Sequence, residues 1–164
     1  MIYVDTREKP KAIRMILTYF KCHSVTYEVK KLDFGDYIDP EHPEIVIDRK
    51  QNIDELAKNV GTKDRERFKR EIKRAQEAGA HLVILVEQDR YKDRDEWIHV
   101  ETIADLLRWS SPYTQVIGEK VYRILVSWQN KLPISVVFCD KRQTGPTIMK
   151  ILYEYQNKGN NNGN

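Results

Sequence analysis

Apolar positions along the chain recur at two periods, and the switches between them set out an alternation of strands and helices. Ile2-Tyr3-Val4 is a short apolar strand, and after Pro10 the residues Ile13, Ile16, Leu17 and Phe20 fall at the i, i+3, i+4, i+7 spacing of a helix. From Val25 to Val29 apolar and polar residues alternate, and the extended pattern continues through Tyr37 to the turn-forming segment Asp39-Pro40-Glu41-His42-Pro43. The β-branched run 44–50 answers it, so residues 35–50 read as a hairpin. Asn52, with Glu55 three residues on, caps a helix over 53–60, and a long charged helix over 63–78 follows Gly61.

Two uninterrupted apolar runs, 81–87 and 134–139, have strand length and suit strands covered on both faces. Between them lie a charged loop (88–96), a predicted helix over 102–109, a break at Ser110-Ser111-Pro112, and a helix carrying Val121, Ile124, Leu125 and Trp128. Thr144 is placed as the cap of a last helix with Ile148, Ile151, Leu152 and Tyr155 on one face. The Gly/Asn tail, residues 158–164, has no apolar face to bury and is expected to be disordered. This order calls for an α/β fold, a mixed β-sheet flanked by helices on both faces, built as a single domain over 1–157.

With 164 residues and 40% hydrophobic composition the chain has the material for one packed core. No stretch approaches the roughly 20 apolar residues of a membrane-spanning helix, and the first residues lack the basic and apolar regions of a signal peptide. The expectation is therefore a soluble, intracellular protein without a membrane partner. Cys22 and Cys139 lack the spacing of a zinc site or a disulfide framework and read as reduced core residues. His23, His42, His81 and His99 share no spacing, and no metal is assigned to them.

The hairpin brings two acids together. Opposed positions of an antiparallel pair sum to a constant, and Asp36 and Asp48 centre on His42 in the middle of the turn, which places them nearly opposite each other. Asp48 and Lys50, two apart on one strand, share a face, while Arg49 points away. Two opposed carboxylates beside an ammonium group suit a divalent cation, with Lys50 orienting a water or neutralising a phosphate. The blander alternative is a turn-closing Asp36 and an Asp48 paired with Lys50 or Arg49 on a solvated face.

Gly35-Asp36 followed by Ile47-Asp48-Arg49-Lys50-Gln51-Asn52-Ile53-Asp54 resembles the G-D…E-R-K-x-x-x-D signature of the XPF-type structure-specific nucleases, a branch of the restriction-endonuclease-like PD-(D/E)xK superfamily. Val4-Asp5-Thr6-Arg7-Glu8 is similar to that family's first motif, D-x-R-E, and the order of elements agrees from about residue 2 to residue 156. The resemblance implies a restriction-endonuclease-like fold and hydrolysis of DNA phosphodiesters with Mg²⁺ or Mn²⁺. It implies that Asp36, Asp48 and the main-chain carbonyl of Arg49 hold the metal, that Lys50 acts on the water or the scissile phosphate, and that Asp5 lies beside the metal site. Arg7, Glu8, Arg49 and Asp54 match motif positions that support the site or the DNA. Asp54 has a second explanation as a carboxylate favoured in the first turn of a helix, and Arg7 and Glu8 a second one as an exposed pair. Asp48 stands where the family carries Glu, one methylene longer. Glu87 resembles an acid found after a similar strand in family members and is given a minor place.

In the 63–74 stretch seven basic residues face three acidic ones, an excess larger than the +3 net charge of the whole chain. Arg67, Arg70 and Arg74 fall on one stripe and suit the grip of phosphates; the alternative is a solvated face with intrahelical pairs. Trp97, Trp109, Tyr113 and Trp128 are assigned to core or interface before base stacking. The reading is a metal-dependent endonuclease for branched DNA (flap, fork or Holliday junction), without the tandem helix-hairpin-helix module of larger relatives. The size fits a phage or mobile-element recombination enzyme. The resemblance also implies a homodimer, with the apolar faces of the last two helices, including Trp128 and Tyr155, as the contact. The rival is a non-catalytic DNA-binding or dimerisation module that keeps the nuclease fold.

Overall fold

The computed structural model of the protein describes residues 1–88, 99–111 and 113–160, the last seven of these as backbone only. Trp97 and most of the charged loop, Pro112 and residues 161–164 of the tail lie outside the described residues. In chain order the elements are β1 (Ile2–Asp5), α1 (Arg14–Cys22), β2 (Tyr27–Lys30), β3 (Tyr37–Ile38), β4 (Ile45–Lys50), α2 (Ile53–Gly61), α3 (Arg65–Glu77), β5 (His81–Gln88), α4 (Gly118–Lys131), β6 (Ile134–Asp140) and α5 (Thr144–Asn160). The sheet order is β2-β1-β3-β4-β5-β6. β3 is antiparallel to both neighbours, and β4, β5 and β6 are parallel. It follows that β1, β4, β5 and β6 run the same way, and their carboxyl ends share one edge of the sheet.

Side chains alternate across that sheet and build two cores. Val46, Leu82, Ile84 and Val86 face α2, α3 and α4 and pack with Leu56, Phe68, Ile72 and Leu125. Ile45, Ile47, Val83 and Leu85 face α1 and α5 and pack with Phe20, Ile148 and Leu152. β4 and β5 are thus covered on both faces, as the unbroken apolar run at 81–87 requires, whereas the 134–139 run forms the edge strand β6, only partly buried between Ile134 and Cys139, and β2 at the other edge is exposed. Among the described residues no helix is long and apolar enough to cross a membrane.

The hairpin pairs Tyr37 with Ile47 and Ile38 with Val46, the register centred on residue 42 that the sequence predicts. The Asn52 carboxamide accepts the Glu55 N–H at 2.8 Å, and the Glu55 carboxylate reaches back to the Gln51 N–H at 2.8 Å, so α2 starts where its capping pattern says. Just past α3, Gly79 at φ +75° closes the helix, with the Ala80 N–H on the Ala75 carbonyl at 2.9 Å.

Several expectations are corrected. The extended stretch after Val29 is not one strand: β2 ends at Lys30 and pairs parallel with β1 at the sheet edge, and Gly35, at φ +66°, turns the chain before the two-residue β3. The 102–109 segment forms a 3₁₀ helix, Ile103–Arg108, under a Thr102/Asp105 capping box. Thr144 does not spend its hydroxyl as a cap, because it donates to the buried Glu87 carboxylate at 2.8 Å. Cys139 is buried, but Cys22 is exposed on α1 because the buried stripe of that helix falls on Ile16 and Phe20. Trp128 is buried beside Phe68, ring centroids 6.0 Å apart, and is used up in the core of its own chain; it is no candidate for a dimer contact. The side chain of Tyr155 lies outside the described residues. Trp109 packs at the rim of the same core, whereas Tyr113 is 73% exposed.

Candidate active site

The shared edge of the sheet gathers the charged residues. Asp5 ends β1 with Arg7 and Glu8 just beyond it, Asp36 immediately precedes β3, Asp48-Arg49-Lys50 ends β4, and Glu87 lies near the end of β5. Burying so many charges is costly unless they pair, and they do so on two separate sides of the sheet.

On the α1/α5 side, Arg49 is held by Glu8 through Nε at 3.0 Å and Nη2 at 2.7 Å, and its Nη1 meets Glu87 at 3.0 Å. Glu87 in turn accepts from Thr144 at 2.8 Å. All four groups are buried, and the fork of the guanidinium suits two flanking carboxylates. Burial works against the charge on Arg49, and Glu8 and Glu87 more than offset it, so its pKa rises. Burial pushes the Glu87 carboxyl upward despite Arg49 and Thr144.

On the α2/α3 side stand Asp48 and Lys50, with Lys50 Nζ 2.7 Å from Asp48 Oδ2 and 4.4 Å from the centre of the Phe68 ring. Asp36 lies opposite Asp48 in the register, and its Oδ2 accepts the Arg49 N–H at 2.7 Å, a backbone donor left without a ladder partner by the shortness of β3. Burial, then the charges of Asp48 and Glu8, hold the Asp36 carboxyl well above the usual carboxylate range. Burial raises Asp48 to about 6, opposed by Lys50 and reinforced by Glu71. Burial works against the Lys50 charge, but Asp48 outweighs it and the pKa rises. The acids rise because burial disfavours their charge and neighbouring carboxylates add to it, and Lys50 rises because Asp48 outweighs its burial.

These residues floor a cavity of about 470 Å³. Arg67, Arg70 and Arg74 of α3 line it as one stripe, with Arg7 and Lys9 across from them. The predicted stripe and the predicted acids therefore meet in one place. Asp5 does not line the cavity. It is fully buried, Oδ1 accepting the Arg7 N–H at 2.7 Å and Nε at 2.6 Å, and Oδ2 accepting the Leu32 N–H at 2.6 Å. Burial alone would raise its pKa; the bonds from Arg7 and Leu32 win and lower it. Asp54 also points elsewhere, onto the hydroxyl of Ser111.

Sequence reasoning passed over Glu55 and Glu71, both in the cavity wall. Glu71 sits beside Arg70 on the stripe that Arg67 and Arg74 define, so the helical projection that found the arginines contains it. Glu55 was visible as the reach-back acid of the capping box. Glu87 lies outside the cavity wall and meets Arg49 from the other side of the sheet.

Among the described residues no three His, Cys, Asp or Glu side chains gather into a metal-binding group. The two carboxylates fit a hard divalent cation all the same. Mg²⁺ typically takes one or two carboxylates and completes its shell with water and phosphate oxygens. The Arg49 carbonyl lies on the same strand edge as its N–H, the edge that faces Asp36.

Comparison with known proteins places the chain. Among curated proteins none matches. Of the solved structures, XPF from Aeropyrum pernix superposes with a TM-score of 0.59 at 20% identity over 93% of this chain and 65% of that one. XPF from Aeropyrum pernix in complex with DNA gives 0.62 at 20% identity, over 96% and 65%. The chain thus spans somewhat less than two thirds of those proteins. The family model described as the ERCC4 domain matches residues 4–148. With its mixed sheet, its paired acids and this match over nearly its whole length, the chain belongs to the ERCC4 domain family and has the fold of an XPF-type nuclease domain.

Proposed function

We propose that the protein is a divalent-cation-dependent endonuclease that hydrolyses phosphodiesters in branched DNA: flaps, forks or four-way junctions. The observation that carries this reading is the meeting, in one cavity, of Asp36, Asp48 and Lys50 with the arginine stripe of α3. Asp36, Asp48 and the Arg49 carbonyl would hold Mg²⁺ or Mn²⁺, which when bound polarises the phosphate and acidifies a water. Lys50, kept in the cavity by Asp48 and the face of Phe68, offers a positive charge to a phosphate oxygen. Arg67, Arg70 and Arg74 bind the backbone. Glu8 and Glu87 hold Arg49 from the other side of the sheet, and so fix the strand that carries Asp48 and Lys50. Asp5 acts through Arg7 as a positioning residue. The homodimer implied by the resemblance belongs to the same reading, with sedimentation as its test.

Cleavage of labelled four-way junction, flap, fork and linear duplex with Mg²⁺ or Mn²⁺, comparing the wild type with Asp48→Asn, tests the proposal. Cutting of branched substrates that vanishes in the variant supports it. DNA binding with no cutting and no cation binding by the wild type would move the assignment to the non-catalytic module.

A further inference from the structure

Two residues at the site have no part in that reaction: Glu71, an acid in the cavity wall on an arginine-lined helix face, and Gly35, buried just before Asp36. They are joined. Glu71 Oε1 accepts the Gly35 N–H at 3.0 Å, and Arg7 Nη2 donates to the Gly35 carbonyl at 3.1 Å. Arg7 Nη1 lies 3.9 Å from Glu71 Oε1, so the two side chains that hold Gly35 also face each other. Two residues earlier, Arg74 Nε donates to the Asp33 carbonyl at 3.1 Å. α3 therefore grips the turn before β3 at two points.

The grip falls where the chain has little room to move. Gly35 is buried at φ +66°, and a Cβ there would come within 2.2 Å of Val46 Cγ1 and 3.1 Å of the Ile47 carbonyl oxygen. Asp36 follows at once: its N–H donates to the Ile47 carbonyl at 2.7 Å, and its own carbonyl accepts the Asp5 N–H at 2.8 Å. Remove the Glu71 oxygen, and a buried N–H loses its partner in the peptide unit next to Asp36. What Gly35 needs from Glu71 is an acceptor, which a carboxamide also provides.

We propose that Glu71 is a positioning residue: by accepting the Gly35 N–H it sets Asp36 against Asp48, and it ties this cation-binding pair to the helix whose arginines grip the phosphates. The inference rests on the nuclease reading for the identity of the pair.

Its test compares the full-length wild type with Glu71→Ala and Glu71→Gln in three measurements: amide exchange of Gly35 by NMR, Mn²⁺ affinity by calorimetry, and cleavage kinetics on the preferred branched DNA. Glu71→Ala should speed Gly35 exchange, weaken Mn²⁺ binding by roughly 10- to 100-fold, and lower kcat with little change in KM for DNA. Glu71→Gln should keep the slow Gly35 exchange of the wild type and recover most of the Mn²⁺ affinity and kcat, short of the share owed to the lost charge beside Asp48. Wild-type Mn²⁺ affinity in the alanine variant, or a glutamine variant as weak as the alanine one, would overturn the proposal. Glu71→Met keeps the length without the oxygen, and stands in if the alanine variant does not fold; wild-type Mn²⁺ affinity there would overturn it equally. A wild type that binds Mn²⁺ with this pattern but cuts no DNA defeats the nuclease reading and leaves the positioning role standing. A wild type that binds no Mn²⁺ defeats both.

Discussion

Asp48 and Arg49 are neighbours in sequence and serve opposite sides of the sheet: Asp48 meets Lys50 at 2.7 Å in the cavity, while Arg49 is clasped by Glu8 at 2.7 Å and Glu87 at 3.0 Å beneath it. One strand end thus carries the proposed chemistry on one face and its support on the other.

Replacing Arg49 tests that support. Arg49→Met leaves Glu8 and Glu87 buried without their shared partner, and breaking a buried pair of this kind costs about 3–5 kcal/mol. Arg49→Lys should recover only part of this, because an ammonium cannot reproduce the fork that reaches both acids. Urea unfolding of the three proteins measures it, and equal stability of Arg49→Met and wild type would show that the cluster is not held by that guanidinium.

Asp36→Asn should separate stability from activity. An asparagine oxygen can still accept the Arg49 N–H, while one of the like charges that repel across the register is gone. In the absence of divalent ions the variant should be as stable as the wild type or more so, by about 1 kcal/mol. It should bind Mn²⁺ weakly and cut no DNA. Thermal melts with and without Mn²⁺ read both effects, and the wild type alone should gain Tm from the ion.

The arginine stripe predicts a salt signature. Each of Arg67→Ala, Arg70→Ala and Arg74→Ala should weaken binding to branched and linear DNA alike and reduce the slope of log K against log salt by about one. Fluorescence anisotropy over a salt series gives the slope. An unchanged slope in all three would assign the stripe to the solvated helix face that the sequence also allows. Arg74 has a second duty on the Asp33 carbonyl, so its variant should lose some stability as well.

Asp5 gives the pH dependence its sign. Its pKa is lowered in the folded protein, so its contribution is fully present above the unfolded value of about 3.9 and is lost as pH falls through the lower folded one. Asp5→Asn turns an amide group toward either the Arg7 donors or the Leu32 N–H, and should cost about 2–3 kcal/mol at neutral pH. The gap between variant and wild type should begin to narrow below about pH 4 and go on narrowing as pH falls through the lower folded value, as the wild-type carboxyl is protonated too. Urea midpoints at pH 7 and near pH 3 check it; a gap that stays constant would mean that Asp5 is not held as a carboxylate.

The sequence by itself determined the order of elements, the hairpin register that sets Asp36 across from Asp48, the shared face of Asp48 and Lys50, and the arginine stripe on α3. These follow from periods of 2 and 3.6 and from a turn bounded by two prolines, which are local properties of the chain. The paired acids and the D-x-R-E and R-K motifs made the family legible as well. Only the tertiary structure decided which charges meet. That Asp5 turns onto Arg7 and Leu32 while Glu8 crosses to Arg49, 41 residues away, depends on how far the β1–α1 turn folds over the sheet edge. The places of Glu87, Thr144 and Glu71 depend on which strand ends share that edge, and the sheet order that sets this is the outcome of packing two helical layers, which no local pattern encodes. The burial of Trp128 has the same origin: the helical period gives it an apolar face, and only the approach of Phe68 from α3 shows that the face is already occupied.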